Sequence, residues 1–340
     1  MRPTLSVLIV AYDSRDDLTK TVPALLRELG DGDELIVVDN KPGDGSAELV
    51  RDLAPAARIV ATGGNSGFAG GCNAGAAEAS GDLLVILNPD AAPQPGFGEA
   101  IRRPWVEERG WSAWQALVTD GEGTCINSAG NPLHFTGIVW AGGHGRPLDE
   151  APPAGEVAAA SGACLAIPLA SWRRVGGFPA EFFMYHEDVD VSVRLRAAGG
   201  AVGIEPAAVV AHAYEFSANA DKWRWLERNR LAFLVRTYPG ALLLLLAPAL
   251  LATELALLAV AASGGWGRQK LRANLEFLRW LPRLLRERRA VQRQRTITAG
   301  EFAAWLTPDL DSELISPLVR SWPARALLRG YWRLVRLLLP

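Results

Sequence analysis

Residues 83–90 read LLVILNPD, an unbroken apolar run that ends in Asn88-Pro89-Asp90. Such a run is typical of a strand that is buried on both faces of a parallel sheet. Asn-Pro-Asp favours a turn, so the strand should end there. Asp90 would then stand at the carboxyl end of a strand, which is where open α/β sheets bind their ligands.

The same pattern occurs three times before this stretch. Leu5–Tyr12, Glu34–Asp39 and Arg58–Thr62 have the composition of buried strands. Segments with helical character separate them, and Ser14 is a candidate cap for the first. The intervening helices are predicted at 14–29, 46–53 and 70–79. The order β-α-β-α-β-α-β predicts the α/β fold class, with a doubly wound, mostly parallel, Rossmann-like sheet.

The middle of the chain has a mixed pattern. Its apolar runs predict further strands, and a Gly/Pro-rich loop covers 142–155. The strands are predicted at 111–119, 135–141, 163–167 and 202–212, and the helices at 187–198 and 217–237. A chain of 340 residues therefore suits one large α/β domain plus an appendage.

Charge is distributed unevenly along the chain. Residues 1–262 carry 20 Lys and Arg against 31 Asp and Glu, whereas residues 263–340 carry 15 against 6. The basic part follows an apolar run, which indicates an anionic lipid partner and no nucleic acid. Three widely spaced cysteines (Cys72, Cys125 and Cys164) indicate neither a disulfide framework nor a zinc site, so a reducing cytoplasm is expected.

The segment 241–262 consists of Ala, Leu and Val except for Pro248, Thr253 and Glu254. At about 1.5 Å per residue it is long enough to cross a bilayer core of roughly 30 Å. Residues 268–295 hold ten Lys and Arg against two Glu, interleaved with apolar residues, which is typical of a basic helix at a membrane surface.

A single crossing would place the basic tail outside the cell, against the positive-inside tendency. We therefore expect 241–262 to dip into the membrane and return, or to lie in its interface. A charge at Glu254 also disfavours a simple span. The alternative is a buried helix pair that closes a soluble domain or a dimer. The sequence therefore leaves the possibility of a homo-oligomer open.

Two acidic segments are candidates for chemistry. Asp90 can hold a divalent cation on a diphosphate, or it can be part of a simple turn. Glu187-Asp188-Val189-Asp190 opens a helix and offers a general base, although acidic residues also favour a helix N-terminus. His212 ends a strand near Tyr214 and Ser217 and suits Mn²⁺ better than Mg²⁺ if it binds metal.

Residues 63–75, GGNSGFAGGCNAG, are rich in glycine. Glycine lets backbone approach a phosphate, a sugar or another helix closely. The spacing does not fit the dinucleotide-binding fingerprint, and the first βα turn has no glycine, which disfavours a nicotinamide oxidoreductase. Close packing of the helix on the sheet is the alternative use of these glycines.

Taken together, these segments resemble glycosyltransferase family 2, which has the GT-A fold, and in particular its bacterial rhamnosyltransferase-like branch acting on polyprenyl-linked glycans. The resemblance spans about 5–235 in the expected order. The matching stretches are LSVLIVAY, LIVVDN, GNSGFAGGCNAG, GDLLVILNPD, SGACLAI, GGFPAEFFMYHEDVDVSVRLRAAG and HAYEFS…KWRWLERNRL. The pattern LP…RR…Q.QR in the tail resembles members from envelope polysaccharide pathways.

The resemblance implies a role for individual residues. Asp188 would be the catalytic base, with Glu187 beside it. Asp90 and His212 would hold a divalent cation, Mg²⁺ or Mn²⁺. Arg228 and Arg230 would meet the acceptor pyrophosphate, although they also suit a solvated face or lipid headgroups. The residues expected at the nucleotide-sugar are Ala11, Tyr12, Asp39, Asn40, Asn65, Gly67, Phe68, Asn73 and Asn88.

The resemblance also implies the reaction. It predicts inverting transfer of a single sugar, with dTDP-L-rhamnose favoured as donor, to a polyprenyl-pyrophosphate-linked glycan in cell-envelope polysaccharide synthesis. The enzyme would work at the cytoplasmic face of the cell membrane. Residues 1–238 would form the catalytic domain, with a nucleotide-sugar half (1–110) and an acceptor half (111–238). Residues 239–340 would form a helical, membrane-associating region.

Two alternatives belong to other functional classes. A catalytically inactive scaffold would bind the nucleotide-sugar at the membrane without turnover. A glycoside hydrolase would need two carboxylates about 5–10 Å apart on either side of a sugar. The parallel sheet with a glycine-rich loop and an Asn-Pro-Asp strand end disfavours the hydrolase.

Overall fold

The computed structural model describes residues 2–213, 221–311 and 321–339. By its contacts the chain divides into two compact units. The first unit comprises Met1–Asn131, Ala141–Leu195 and Gly200–Phe216, and the second comprises Pro132–Trp140, Arg196–Gly199 and Ser217–Pro340.

Strands and helices alternate through the first part of the chain. The strands of the described residues are β1 (Leu5–Ala11), β2 (Glu34–Asp39), β3 (Arg58–Ala61), β4 (Leu83–Leu87), β5 (Ala91–Pro93), β6 (Trp111–Thr119), β7 (Ile126–Ser128), β8 (Leu133–His134), β9 (Gly155–Glu156), β10 (Cys164–Pro168), β11 (Ala201–His212) and β12 (Leu306–Thr307). The helices are α1 (Arg15–Leu26), α2 (Ser46–Leu53), α3 (Gly67–Ala77), α4 (Phe97–Ala100), α5 (Arg103–Val106), α6 (Leu169–Val175), α7 (Glu187–Ala197), α8 (Lys222–Thr237), α9 (Gly240–Ser263), α10 (Gly267–Gln294), α11 (Ala299–Ala303) and α12 (Trp322–Leu338).

The first unit is built on one mixed sheet with the order β3-β2-β1-β4-β10-β6-β11-β5. Strands β3, β2, β1 and β4 are parallel, as are β6 and β11, whereas β10 runs antiparallel to β4 and β6. This arrangement confirms the predicted α/β class with its mostly parallel sheet.

Apolar runs become buried strands because both sheet faces are covered. In β4 all five residues are buried, and so are all seven in β1. One face packs against α1 through Leu18 and Val22, and the other packs against α3 through Cys72 and Ala76. Each fully buried aliphatic side chain contributes about 1.5–3 kcal/mol, so these two strands account for much of the core.

Several predicted elements occur at their predicted bounds, among them the helix at Ser46–Leu53 and the strand at Trp111–Thr119. The interpretation of Ser14 as a helix cap is wrong in one respect. Ser14 stands at the N-cap position, but its hydroxyl bonds the backbone N–H and C=O of Tyr12 instead of an N–H of the helix.

The strand expected at 135–141 is wrong. The chain makes a tight turn there, which two backbone hydrogen bonds close. Gly137 N donates to His134 O, and His134 N donates to Ile138 O, both at 2.8 Å. Gly137 has a φ of +80°, a conformation that glycine adopts without strain. An apolar run interrupted by this glycine therefore makes a turn inside the second unit.

The second unit consists mainly of helices. Its long helices, α9 and α10, confirm the two helical segments predicted for the tail. Helix α8 packs against α10 and belongs to this unit, although the sequence analysis assigned it to the domain ending at 238. Helix α12 is joined to the unit by Trp332, whose ring stacks on Phe135 at 5.1 Å.

Candidate active site

The carboxyl ends of three parallel strands meet at one edge of the first unit's sheet. Ala11 ends β1 and lies opposite Asp39, which ends β2. Strand β4 pairs with β1 on its other side and is followed directly by Asn88. The structure therefore brings Ala11, Asp39 and Asn88 to the same edge, as expected for ligand-binding residues of this fold.

An exposed aromatic ring stands at this edge. Tyr12 is 44% exposed, and the ammonium group of Lys41 lies 5.2 Å from the centre of its ring. Lys41 also pairs with Asp13 at 2.5 Å. Partial burial raises the pKa of Asp39, against a hydrogen bond from the Lys41 backbone that lowers it. A flat ring beside an acidic and a basic group can bind the base and ribose of a nucleoside.

Asn40 is buried and organises the loop in front of α3. Its Oδ1 accepts hydrogen bonds from Ser66 N, Ser66 Oγ and Thr62 Oγ1 at 2.8–3.0 Å. Its Nδ2 donates to Gly67 O at 3.2 Å. Asn65 Oδ1 in turn accepts from the N–H of Gly67 at 2.9 Å. Asn40 and Asn65 therefore fix the shape of the glycine-rich loop.

Gly67 is where the backbone comes closest to another segment. Its φ is +73°, and a Cβ at this position would collide with the carbonyl oxygen and ring of Phe183. The same carbonyl accepts a hydrogen bond from Ala69 N at 3.0 Å, in the first turn of α3. Phe68 is partly buried and lies 6.1 Å from the ring of Phe178, measured between centroids.

The later glycines of α3 serve packing. A Cβ on Gly71 would lie 2.7 Å from Val10, and one on Gly75 would overlap Leu8 and crowd Val38 at 2.8 Å. Of the two uses left open by the sequence, close packing of helix on sheet therefore applies to Gly71 and Gly75.

Asn73 links α3 to a distant loop. Its Nδ2 donates to Phe178 O at 2.8 Å, and its Oδ1 accepts from Phe178 N at 2.9 Å. Both ends of the amide are thus engaged on one backbone unit. Asn73 positions the segment that leads into α7, a role that its expected place near the donor did not suggest.

Asp90 and His212 form a pair at the end of β4. Asp90 Oδ1 lies 3.0 Å from His212 Nε2, and Asn88 Nδ2 lies 3.3 Å from the same nitrogen. The pairing follows from the sheet, because His212 is in register with Ala91 where β11 meets β5. Residues 214–220, which include Tyr214 and Ser217, lie outside the described residues.

The sequence analysis gave no site role to Asp17, a second acidic residue that interacts electrostatically with this pair. Partial burial raises the pKa of Asp17, and the negative charge of Asp90 raises it further. The side chain comes from the first turn of α1, where an acidic residue also favours the positive end of the helix. The influence of Asp90 on Asp17 depends on residues 73 positions apart in sequence, which no local pattern reveals.

Asp188 opens α7 and is held by backbone donors. Its Oδ2 accepts from Gly162 N at 2.9 Å, and its Oδ1 accepts from Val189 N at 2.8 Å. Burial raises the pKa of Asp188, and these two hydrogen bonds act in the opposite direction. For Glu187, burial and the neighbouring charge of Asp188 both raise the pKa well above its usual range.

A short segment connects the two acidic sites. Ala163 O accepts from Asn88 N at 2.9 Å, while Gly162 N donates to Asp188. Strand β10, which starts at the next residue, runs antiparallel to β4 and so brings 162–163 to the end of β4. Gly162 is a positioning residue that the sequence analysis missed, although its segment SGACLAI was among the matching stretches.

Two arginines were expected at the acceptor pyrophosphate, and for Arg230 the structure contradicts that expectation. Arg230 is buried in the second unit and donates to Glu227, Glu254 and the Thr136 carbonyl. A guanidinium so engaged has no surface left for a ligand. Arg228 lies on the same helix, 3.7 Å from Glu276 and over the ring of Trp280.

The residues present fit a divalent cation at the Asp90–His212 pair. One carboxylate oxygen and one imidazole nitrogen lie 3.0 Å apart, and the Asp90 side chain is 23% exposed, so a ligand can reach it. This oxygen and nitrogen set suits Mn²⁺ and is acceptable to Mg²⁺. Within 2–213, 221–311 and 321–339 no group of three or more His, Cys, Asp or Glu residues could hold a metal by itself. Phosphate oxygens would therefore have to complete the coordination.

Comparison with known proteins agrees with this geometry. Residues 6–123 match the family model "Glycosyl transferase family 2". The chain is 26% identical over 247 residues to the N-acetylglucosaminyl-diphospho-decaprenol L-rhamnosyltransferase of Mycobacterium tuberculosis. The alignment covers 65% of this chain and 80% of that protein. It is also 26% identical over 215 residues to the low-salt glycan biosynthesis hexosyltransferase Agl10 of Haloferax volcanii, covering 58% of this chain and 62% of that protein.

Solved structures share the fold. GalNAc-T7, solved with UDP, GalNAc and Mn²⁺, aligns with a TM-score of 0.57 at 14% identity and covers 70% of this chain and 48% of its own. TarS of S. aureus aligns with a TM-score of 0.53 at 14% identity and covers 98% of this chain and 55% of its own. With the family match and the strand-end site, these likenesses lead to one assignment: residues 6–123 resemble glycosyltransferase family 2, and the chain is a nucleotide-sugar-dependent glycosyltransferase with the GT-A fold.

Proposed function

We propose that this enzyme transfers a single L-rhamnose from dTDP-L-rhamnose, with inversion, to a polyprenyl-pyrophosphate-linked glycan during synthesis of a cell-envelope polysaccharide. The observation that carries the proposal is the likeness to the M. tuberculosis decaprenol-linked rhamnosyltransferase, which extends over 80% of that protein. An envelope glycan is assembled on such a carrier from nucleotide-sugars, which are cytosolic, so the reaction belongs at the cytoplasmic face of the membrane.

The base in this reaction is Asp188. The acceptor hydroxyl oxygen attacks the anomeric carbon while its proton passes to the Asp188 carboxylate, and the bond from that carbon to the diphosphate oxygen breaks. Two backbone N–H groups stabilise the Asp188 anion. Burial and the neighbouring Asp188 charge raise the pKa of Glu187 well above its usual range, which opposes a second negative charge beside Asp188. A single displacement inverts the anomeric centre and needs no protein nucleophile.

The donor is bound at the strand ends. Ala11, Tyr12 and Asp39 hold the nucleoside, and the loop fixed by Asn40 and Asn65 closes over the sugar side. The remaining donor-site residues are Gly67, Phe68 and Asn88, and Asn73 positions the segment that leads into α7. Asp90 and His212 would hold Mg²⁺ or Mn²⁺, which when bound neutralises charge on the departing nucleoside diphosphate.

The acceptor reaches the enzyme from the membrane. Helix α9 is the one helix in the described part of the chain that is long and apolar enough to cross a membrane. Arg228 is the arginine that we keep as a candidate ligand of the acceptor pyrophosphate, since Arg230 is already fully engaged. The partners proposed are therefore the nucleotide-sugar, the lipid-linked glycan and anionic lipid.

The test measures release of nucleoside diphosphate by the purified full chain. A panel of nucleotide-sugars is offered with Mn²⁺ or Mg²⁺ and a short-chain polyprenyl-pyrophosphate GlcNAc acceptor. We expect release from dTDP-L-rhamnose only when the acceptor is present, and its loss in Asp188→Asn. Asp149→Asn makes the same chemical change at an exposed position and should leave release intact.

Three other results would count against the proposal. Release from a different donor would overturn the rhamnose assignment while keeping the transferase. Retention of configuration in the product would overturn single displacement. Metal-dependent donor binding without turnover on any lipid-linked acceptor would show that the protein is an inactive scaffold and not an enzyme.

A further inference from the structure

Helix α9 is apolar on nearly every side, and its exposed side chains are apolar as well. From Ala241 to Ala262 every exposed residue is apolar, and these residues recur every three or four positions. Leu244, Leu251 and Leu255 are exposed by 76%, 64% and 61%. The polar side chains, Thr253 and Glu254, lie on the partly buried side. Water is a poor solvent for so long an apolar stripe, so it should have a partner.

The buried side of α9 is held by an ion-pair cluster, which we call the Glu254 cluster. It consists of Glu227 and Arg230 on α8, Glu254 on α9 and Lys270 on α10. Lys270 Nζ lies 2.5 Å from Glu227 and 2.7 Å from Glu254, and Arg230 pairs with both glutamates. The cluster is neutral, with two positive and two negative groups. The Arg230 and Lys270 side chains are only 2% and 0% exposed.

Helix α10 packs closely on α8 and also contacts α9. Helices α9 and α10 are separated by three residues, so α10 returns beside α9. At this turn Trp266 stacks on Trp223 near the start of α8, at 4.9 Å. Near the other end of α8, Arg236 pairs with Glu287 of α10 at 2.8 Å. Helix α8 is therefore in contact with α10 from near its start to near its end.

The ion pairs of Glu254 argue against a transmembrane α9. A spanning helix would carry Glu254 to the bilayer centre together with Glu227, Arg230 and Lys270, and each charge there is expensive. The turn at Trp266 would have to reach the far side, bringing the polar start of α8 with it. The Glu254 cluster instead keeps the charged side of α9 within the protein.

Helix α10 adds a matching surface. Its exposed apolar residues are Leu271, Leu275, Leu278 and Leu285, which recur at helical spacing. A row of exposed arginines lies alongside: Arg268, Arg272, Arg279, Arg283, Arg286, Arg289 and Arg293. Apolar side chains next to a row of cations are the pattern of a helix that lies at the level of anionic headgroups.

We propose that α9 and α10 form a membrane-binding surface that enters one leaflet of an anionic bilayer and does not cross it. The occupant of the surface is lipid: acyl chains contact the leucines, and phosphate headgroups contact the arginines. This inference deepens the membrane location proposed above. Its test uses neither donor nor acceptor, so its failure is distinct from failure of glycosyl transfer.

The first experiment measures co-sedimentation of the full chain with vesicles of phosphatidylcholine, with or without phosphatidylglycerol. Replacing Leu251 and Leu255 together by Glu should weaken binding on the order of a hundredfold. Replacing Arg279 and Arg286 by Gln should weaken binding to anionic vesicles about fivefold per arginine and leave neutral vesicles unaffected. Val106→Glu, an exposed apolar residue of the first unit, is the control and should bind normally.

The second experiment tests insertion depth. Ser263→Cys places a thiol at the exposed end of α9 in a Cys125→Ser background, and a membrane-impermeant maleimide is added to protein bound on sealed vesicles. We expect labelling without detergent. Protection until detergent is added would show that α9 spans and would overturn the proposal. Absence of vesicle binding, with a stable oligomer that Leu251→Glu and Leu255→Glu dissociate, would overturn it in favour of a second copy of the chain.

Discussion

Asp188 and Gly162 are joined by a 2.9 Å hydrogen bond from the glycine N–H to the carboxylate, whereas the adjacent Glu187 is buried and its Oε2 has no partner in the described part of the chain. Two neighbouring carboxyl groups thus have opposite surroundings. The anion is stabilised at Asp188 and opposed at Glu187, which separates the base from the residue beside it.

The first prediction concerns the pH dependence of transfer. A general base must be ionised, and burial raises the pKa of Asp188 above its ordinary 3.8. The value of kcat/KM should therefore fall as the pH drops through the pKa of Asp188, which lies above 3.8. At higher pH kcat/KM should reach its full value. Asp188→Asn should reduce kcat by about 10²–10⁴-fold and remove this acid limb. An acid limb that persists in Asp188→Asn would assign the base to another residue.

The second prediction concerns stability and Glu187. Its folded-state pKa lies well above 4.5, so the folded state holds a proton that the unfolded state releases as the pH rises past that value. The free energy of unfolding should then decrease with rising pH until the folded pKa is reached. Glu187→Gln should abolish this decrease in urea unfolding measured across pH. Glu150→Gln, on the surface, should keep the wild-type slope.

The third prediction concerns the metal. Asp90→Asn removes the anionic ligand but keeps the shape of the side chain next to His212. Affinity for Mn²⁺, measured by titration in the presence of nucleoside diphosphate, should fall at least tenfold. Asp149→Asn serves as the exposed control. Unchanged Mn²⁺ affinity in Asp90→Asn would place the cation elsewhere.

Much of the fold could be predicted because its signals are local. Strand β4 and helix α2 are fixed by apolar runs and by helical spacing, and their neighbours cannot easily override them. The turn near Gly137 was missed since a glycine within an apolar run is compatible with a strand as well. Its conformation is set by a hydrogen bond that closes across four residues.

The site was only partly predictable, because partners distant in sequence decide which side chains are available. Arg230 is a residue type that binds phosphate, but its guanidinium donates a hydrogen bond to Glu254, which lies 24 residues later. Asn73 was expected at the donor, but its amide is engaged by Phe178, 105 residues away. Asp188 and Asp90 stay predictions, which the sequence could make because both residues occur at the ends of elements in ordered motifs.

The fourth prediction uses a pair of glycines. Gly63 and Gly67 have nearly equal φ values, +74° and +73°, but only Gly67 has a close neighbour, Phe183. Alanine at either position should cost about 1–2 kcal/mol for the left-handed backbone. Gly67→Ala should cost roughly 1–3 kcal/mol more, because its Cβ must displace Phe183. The check is the free energy of unfolding in denaturant. Equal losses for the two variants would show that the loop near Phe183 yields without cost.

The final prediction concerns the tail pattern LP…RR…Q.QR. Arg288 Nη1 donates to Val235 O and Tyr238 O at 2.6 Å each, and Gln292 Nε2 donates to Thr237 O at 2.8 Å. These carbonyls belong to the C-terminal end of α8, where the helix itself supplies no donors. Arg288→Ala should therefore lower the free energy of unfolding by about 1–3 kcal/mol. Arg289→Ala, exposed on the same helix, should change stability by less than about 0.5 kcal/mol. If the two variants were equally stable but both bound anionic vesicles less well, the pattern would serve lipid contact instead of joining α10 to α8.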